Sequence, residues 1–104
     1  MDARVSLSVK DKVATILLDR PEAYNALDRE TVGELQQVLL QASTDPSIHG
    51  VVITGVGKAF SAGGDFYAMR RLTFQNAYMW NDRMLGLAMA IRGVPIPVIA
   101  MING

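Results

Sequence analysis

Between Gly50 and Gly55 stand four β-branched residues in a row, Val51-Val52-Ile53-Thr54. Branching at Cβ disfavours helix and suits a pleated strand, and the flanking glycines punctuate it. A glycine-rich loop follows, from Gly55 to Asp65. Around this buried strand the remaining chain changes period several times. Val5-Ser6-Leu7-Ser8-Val9 alternates apolar and polar, as a half-buried strand does. Lys10-Asp11-Lys12 is a polar turn. Val13 to Leu18 is apolar enough for a strand buried on both faces, so the two runs form a hairpin. Asp19 to Leu27 has no sustained period, and Pro21 disfavours helix at Arg20.

Asp28 can cap a helix, because its carboxylate can accept from the free amides of the first turn. Val32, Leu35, Val38, Leu39 and Ala42 then recur at spacings of three and four, and the helix ends near Ser43, before Asp45-Pro46. After the glycine-rich loop, Asp65 can cap a short helix reaching about Leu72. A longer helix is expected from about Thr73 to Arg92, with Phe74, Ala77, Tyr78, Leu85, Ala88 and Ile91 inward. Ile96 to Ile102 reads as a further buried strand. Strands alternating with helices place the chain in the α/β class. A chain ending on an apolar strand is either incomplete, or in need of a partner surface, or built with a central strand last in sequence.

Composition removes several functions. Ten Lys and Arg balance ten Asp and Glu, there is one His, and there is no Cys. Phosphate neutralisation needs a cationic surplus, so nucleic acid is not the expected partner. No cysteine zinc site, disulfide framework or histidine cluster can form. Half the residues are hydrophobic, against intrinsic disorder. Asp2 and Arg4 precede no apolar export core, and Arg92, Gly93, Pro95 and Pro97 interrupt the most apolar stretch. A soluble, cytoplasmic protein with no membrane partner is expected.

Three glycine-loop motifs fail or nearly fail. A P-loop would need Gly where Val52 stands and Ser or Thr where Ala59 stands. The dinucleotide fingerprint G-x-G-x-x-G has Phe60 at its third glycine. Ala59-Phe60-Ser61-Ala62-Gly63 approaches a nucleophile elbow, but no His follows Ser61, and His49 belongs to a polar connection. A serine hydrolase using Ser61 is the weakest of the functional readings. Gly63 and Gly64 instead bring bare main chain to a helix start, where unpaired amides and the helix dipole favour an oxyanion. A tight turn requiring φ > 0 is the other reading of the same pair.

Lys58-Ala59-Phe60-Ser61-Ala62-Gly63-Gly64-Asp65 resembles the K-A-F-S-A-G-[AG]-D loop of the crotonase superfamily, the enoyl-CoA hydratases and isomerases. Asp19-Arg20-Pro21-Glu22-Ala23-Tyr24-Asn25-Ala26-Leu27 is similar to that family's N-R-P-x-x-x-N-A-L. Val51 to Gly55 and Pro95 to Gly104 resemble its V-V-[IL]-T-G and P-x-P-V-I-A-x-[IV]-N-G segments, in the same order. The resemblance implies that residues 1–104 form the N-terminal portion of a crotonase-like superhelix of ββα units. It implies an acyl-CoA thioester as substrate and an enolate held by two backbone amides, the first from Gly64.

By the same match, the Ala62 carbonyl faces the CoA adenine, the Ala26 main chain touches CoA, and Gly63 allows close approach. Asp65 helps hold the turn or simply caps the helix. Phe66 lines the acyl pocket or packs in the core. Arg20, Lys58, Arg70 and Arg71 are either partners for CoA phosphates or solvated surface charges. The methionines fill core or pocket gaps. No metal or separate cofactor is implied, since CoA belongs to the substrate, and homo-oligomers (trimers or hexamers) are expected.

The family pattern continues past Asn103-Gly104 to a second amide donor and two Glu residues used by hydratases. This chain has no carboxylate after Asp82. It is therefore expected to be incomplete for hydration, and a non-catalytic CoA-binding or assembly module is the alternative.

Overall fold

A computed structural model describes residues 3–65, 70 and 73–104. Two strands, β1 (Val5–Lys10) and β2 (Val13–Leu18), form the expected hairpin. Asp11 and Lys12, the two residues between them, have φ of 52° and 69°. Positive φ at both central positions gives a turn whose twist matches that of the strands. A single 3-10 turn (Pro21–Ala23) leads to α1 (Arg29–Thr44). Next come β3 (Gly50–Gly55), α2 (Phe74–Gly93) and β4 (Val98–Met101).

The sheet order is β1-β2-β3-β4. β1 and β2 are antiparallel, whereas β2–β3 and β3–β4 are parallel, with Ile16 opposite Ile53 and Ile53 opposite Ala100. Parallel neighbours need a crossover, which α1 supplies between β2 and β3. The mixed sheet with its helices bears out the α/β class.

One sheet face carries Val5, Ala14, Ile16, Leu18, Val51 and Ile53, all buried together with Val32, Leu35, Leu39 and Ala42 of α1. The helix face read from spacing is therefore the packed face. Its cap is also as expected, for Asp28 Oδ1 accepts from the Thr31 amide at 2.9 Å and from its hydroxyl at 2.6 Å. The opposite sheet face is less covered. Val13 is exposed and Thr15 and Leu17 are half-buried, so β2 is buried on one face only.

α2 begins where expected, with Thr73 Oγ1 accepting from the Asn76 amide. Its inward face differs. Tyr78, Leu85 and Ala88 are exposed, while Leu87 is buried and Trp80, Met84 and Ile91 pack against the core. Ile91 is inward as expected; apolar residues occur around much of this helix, so spacing alone did not separate the packed side from the exposed one. Phe74's side chain and residues 66–69, 71 and 72, which make up most of the short helix expected after Asp65 and include Met69 and Arg71, lie outside the described residues.

β4 is shorter than expected and, among the described residues, is mostly exposed rather than buried, with Ile99, Ala100 and Met101 open. Pro97 has no amide to donate, though its carbonyl accepts from Val51. At the other end the chain leaves the sheet at Ile102, and Asn103 engages the glycine-rich loop. No described helix is long and apolar enough to cross a membrane.

Candidate active site

Two loops meet at the ends of β2 and β3, residues 19–28 and 56–65. The first contains consecutive left-handed residues, Tyr24 at φ 51° and Asn25 at φ 56°. Asn is among the few non-glycine residues that visit this region readily. The conformation turns the Asn25 side chain inward, where it is 1% exposed. Its Nδ2 donates to the carbonyls of Val56 (3.0 Å) and Ala59 (2.9 Å), and its Oδ1 accepts from the Arg20 amide at 2.7 Å. One buried amide thus satisfies groups from both loops.

Asn103 works on the second loop from the end of β4. Its Nδ2 donates to Gly57 and Ala59 carbonyls, and its Oδ1 accepts from the Gly55 amide.

Ser61 closes the same turn. Its hydroxyl donates to the Asn25 carbonyl at 2.8 Å and accepts from the Gly63 amide at 3.1 Å. The hydroxyl proton is directed at a carbonyl rather than at a base. His49 is exposed in the connection between α1 and β3.

The loops then run side by side for one parallel β-bridge, Leu27 with Gly64. The Leu27 amide donates to the Gly63 carbonyl at 2.7 Å, and the Asp65 amide donates to the Leu27 carbonyl at 3.0 Å. Successive peptide groups in an extended segment point to opposite sides. Residues 63 and 65 therefore serve Leu27, and the Gly64 N–H is turned away from it. Among the described residues nothing accepts from that amide. Gly64 is half-buried, so the donor is neither sealed in the core nor fully solvated.

Gly63 has φ +88°, the strained region for other L residues, although an added Cβ would meet nothing within 4 Å. The turn reading of Gly63 and the donor geometry of Gly64 thus coexist in one segment. Ala62 is exposed, with its amide donated to Tyr24. Ala26 is buried, with its amide bonded to Ala23 and its carbonyl accepting from Arg20 Nη1 at 3.3 Å. Phe66 lies outside the described residues.

Arg20 departs from the reading of a solvated surface charge. It is half-buried and held by carboxylates. Its Nη1 donates to Asp65 Oδ2 at 2.7 Å and lies 3.5 Å from Asp28 Oδ2. Asp65 is 6% exposed, so its carboxylate is buried with its countercharge. Arg4 pairs with Asp28 and with Glu30 on the outer side. Burial pushes the Asp28 carboxyl upward, but the Thr31 hydroxyl and amide, Arg4 and Arg20 together hold it below the usual carboxylate value. Lys58 and Arg70 are exposed.

Sequence reasoning missed the Arg20–Asp65 pair and the roles of Asn25 and Asn103. The signal available was the placement of Asn25 in a turn with no sustained period. No group of three potential metal ligands occurs among the described residues. A hollow of about 190 Å³ lies on α2, lined by Tyr78, Met79, Asp82 and Arg83, and none of the loop residues borders it.

A family model described as enoyl-CoA hydratase/isomerase matches residues 8–104. The chain belongs to that family, the crotonase superfamily anticipated above. It is 37% identical over 100 residues to "Probable enoyl-CoA hydratase EchA14" of Mycobacterium tuberculosis, covering 96% of this chain and 39% of that protein. It is 34% identical over 96 residues to "Carboxymethylproline synthase" of Pectobacterium carotovorum, covering 90% of this chain and 38% of that protein. The crystal structure of enoyl-CoA hydratase from Bacillus anthracis superposes with a TM-score of 0.93 at 27% identity, over 98% of this chain and 40% of that one. The chain thus spans about two fifths of the length of these relatives.

Proposed function

We propose that the paired loops bind an acyl-CoA thioester and that the Gly64 N–H donates to its carbonyl oxygen. The observation that carries this reading is the bridge parity at Leu27, which leaves one half-buried main-chain donor facing away from the loop that holds it. When a thioester loses an α-proton, or its enoyl β-carbon is attacked by water, electron density moves to the carbonyl oxygen and an enolate forms. A fixed N–H aimed at that oxygen strengthens its hydrogen bond as the charge develops, and loss of one such donor typically slows reaction ~10²–10³-fold. Ala62, whose carbonyl has no partner among the described residues, supports the reading as an acceptor toward the CoA adenine. Gly63 clears the approach, and Ala26 supplies backing to the turn, since its own polar groups are engaged internally.

Hydration or isomerisation of an enoyl-CoA is the parent activity we assign. Both need a second amide donor and general acid–base carboxylates, which the family resemblance puts beyond residue 104. In this reading CoA arrives with the substrate and no separate cofactor takes part. The relative named a synthase shares this same portion of chain, which is consistent with the loop pair fixing the thioester while other residues choose the reaction. In this reading the protein self-associates, as a trimer or hexamer.

Calorimetric titration of the 104-residue chain with a 2-enoyl-CoA and with CoA, beside a hydratase assay, tests the reading. We expect binding without hydration, and Gly64→Pro, which deletes the amide, is expected to weaken the enoyl-CoA more than CoA. Equal binding by Gly64→Pro and wild type would refute the donor role. Efficient hydration by the chain alone would refute its dependence on further residues. Labelling of Ser61 by a fluorophosphonate would favour the hydrolase reading instead.

A further inference from the structure

We propose that Arg20 is a positioning residue that sets the aim of the Gly64 N–H, an inference that rests on the thioester-binding reading above. Gly64 is held in the chain between two residues that bond to Leu27, and Asp65 is one of them. A single guanidinium reaches both sides of this rung. Arg20 Nη1 donates to Asp65 Oδ2 at 2.7 Å and to the Ala26 carbonyl at 3.3 Å, and it lies 3.5 Å from Asp28 Oδ2. It therefore ties the residue after Gly64 to residues on either side of Leu27.

Main-chain bonds alone fix the rung at Leu27 with two contacts. Those contacts still allow the 63–65 segment to rock about the line joining them. The Arg20–Asp65 bond is a third support, made by side chains rather than main chain. It restricts the rocking. Rocking changes the direction of the intervening N–H more than its position, and hydrogen bonds weaken steeply with angle. The pair is also well placed to hold, since Asp65 is 6% exposed and the Arg20 side chain 20%. Charge-assisted bonds screened from water are stiffer than neutral ones.

Arg20 is itself anchored. Its amide donates to Asn25 Oδ1, and its carbonyl accepts from the Ala23 and Asn25 amides. The strut thus runs from the Asn25 turn through Arg20 to Asp65. Arg4 offers an internal comparison, because it too pairs with Asp28, but its other carboxylate partner is Glu30 rather than Asp65.

The test uses the ¹⁵N-labelled 104-residue chain with two probes, S-butyryl-CoA and its thioether analogue S-butyl-CoA, which lacks the carbonyl. The ratio of their affinities isolates the contribution of the carbonyl oxygen. Arg20→Gln is expected to shift and broaden the Gly64 amide resonance in the free chain. It should cut the carbonyl preference about fivefold to tenfold, the scale of one hydrogen bond, while affinity for the thioether stays the same. Arg20→Lys should restore part of the preference. Arg4→Gln should lower stability while leaving both the preference and the Gly64 resonance unchanged. Asp65→Asn replaces Arg20→Gln should the latter fail to fold.

An unmoved Gly64 resonance in Arg20→Gln, or a full carbonyl preference retained there, overturns the proposal. A wild-type chain that binds both probes equally overturns the thioester reading instead. In that case the free-chain resonance still decides whether Arg20 orients the amide.

Discussion

Asn25→Ala removes the buried amide that joins the two loops. Three side-chain hydrogen bonds disappear, to Val56, Ala59 and Arg20. The two carbonyls and the amide left behind sit around a side chain that is 1% exposed, so water has little room to replace it. A buried polar group left unsatisfied costs ~1–3 kcal/mol. The Ala59 carbonyl keeps its bond from Asn103, so two such penalties remain, at the Val56 carbonyl and the Arg20 amide, about 2–6 kcal/mol. Alanine also tolerates φ 56° less well than asparagine, which adds about 1 kcal/mol. A loss of about 3–7 kcal/mol is therefore expected, a large share of the ~5–15 kcal/mol typical of a domain.

Urea unfolding followed by far-UV circular dichroism measures it. Asn25→Gly separates the contributions, because glycine accepts the left-handed backbone but makes none of the bonds. It should recover only about 1 kcal/mol of the loss. A loss below about 1 kcal/mol in Asn25→Ala would refute the claim that this amide satisfies both loops. Full recovery by glycine would show that backbone conformation, not hydrogen bonding, makes Asn25 matter.

Other outcomes follow from the same geometry. Gly63→Ala should cost about 1–2 kcal/mol from φ alone, since the Cβ has open space, and thermal melting will read it. Gly55→Ala should cost more, because its Cβ would lie 2.3 Å from the Ala59 carbonyl oxygen and 2.6 Å from that of Phe60. The reverse order of the two would refute the close approach. Asp28 has a folded pKa below the reference value of 3.8, so its ionised form favours the folded state. That contribution is fully present above pH 3.8 and is lost as pH falls through the lower folded value. Asp28→Asn should flatten this acid limb of the stability curve, and should cost less than Asp28→Ala, because asparagine still caps a helix. Stability of the two variants measured between neutral and acid pH checks both statements.

Local signals carried much of the fold. The α1 cap and face were legible because an N-cap and a three-four spacing involve residues within one or two turns of each other. The β-branched run at Val51 identified β3 for the same reason. On α2 the expected face held at Ile91 but failed at Tyr78, Leu85 and Ala88, because apolar residues on that side are as plausible by spacing as Trp80, Met84 and Leu87. Only the presence of α1 beside it separates the two. Within the loops, the glycines were legible and the charges were not. Arg20 and Asp65 are 45 positions apart, and each alone reads as a loop cation or a helix cap. Asn25 joins Val56 and Ala59 across 31 and 34 positions, so its partners exist only once β2 and β3 lie in register.

The single rung between Leu27 and Gly64 makes this region sensitive to counting. Along an extended stretch, odd and even positions face opposite ways. Deleting one residue from 58–62 while the contact reforms would put a neighbour of Gly64 in its place and swing the glycine's hydrogen toward Leu27. Side chains in that stretch can be exchanged more freely than its length can change, since an even shift preserves the facing and an odd one inverts it.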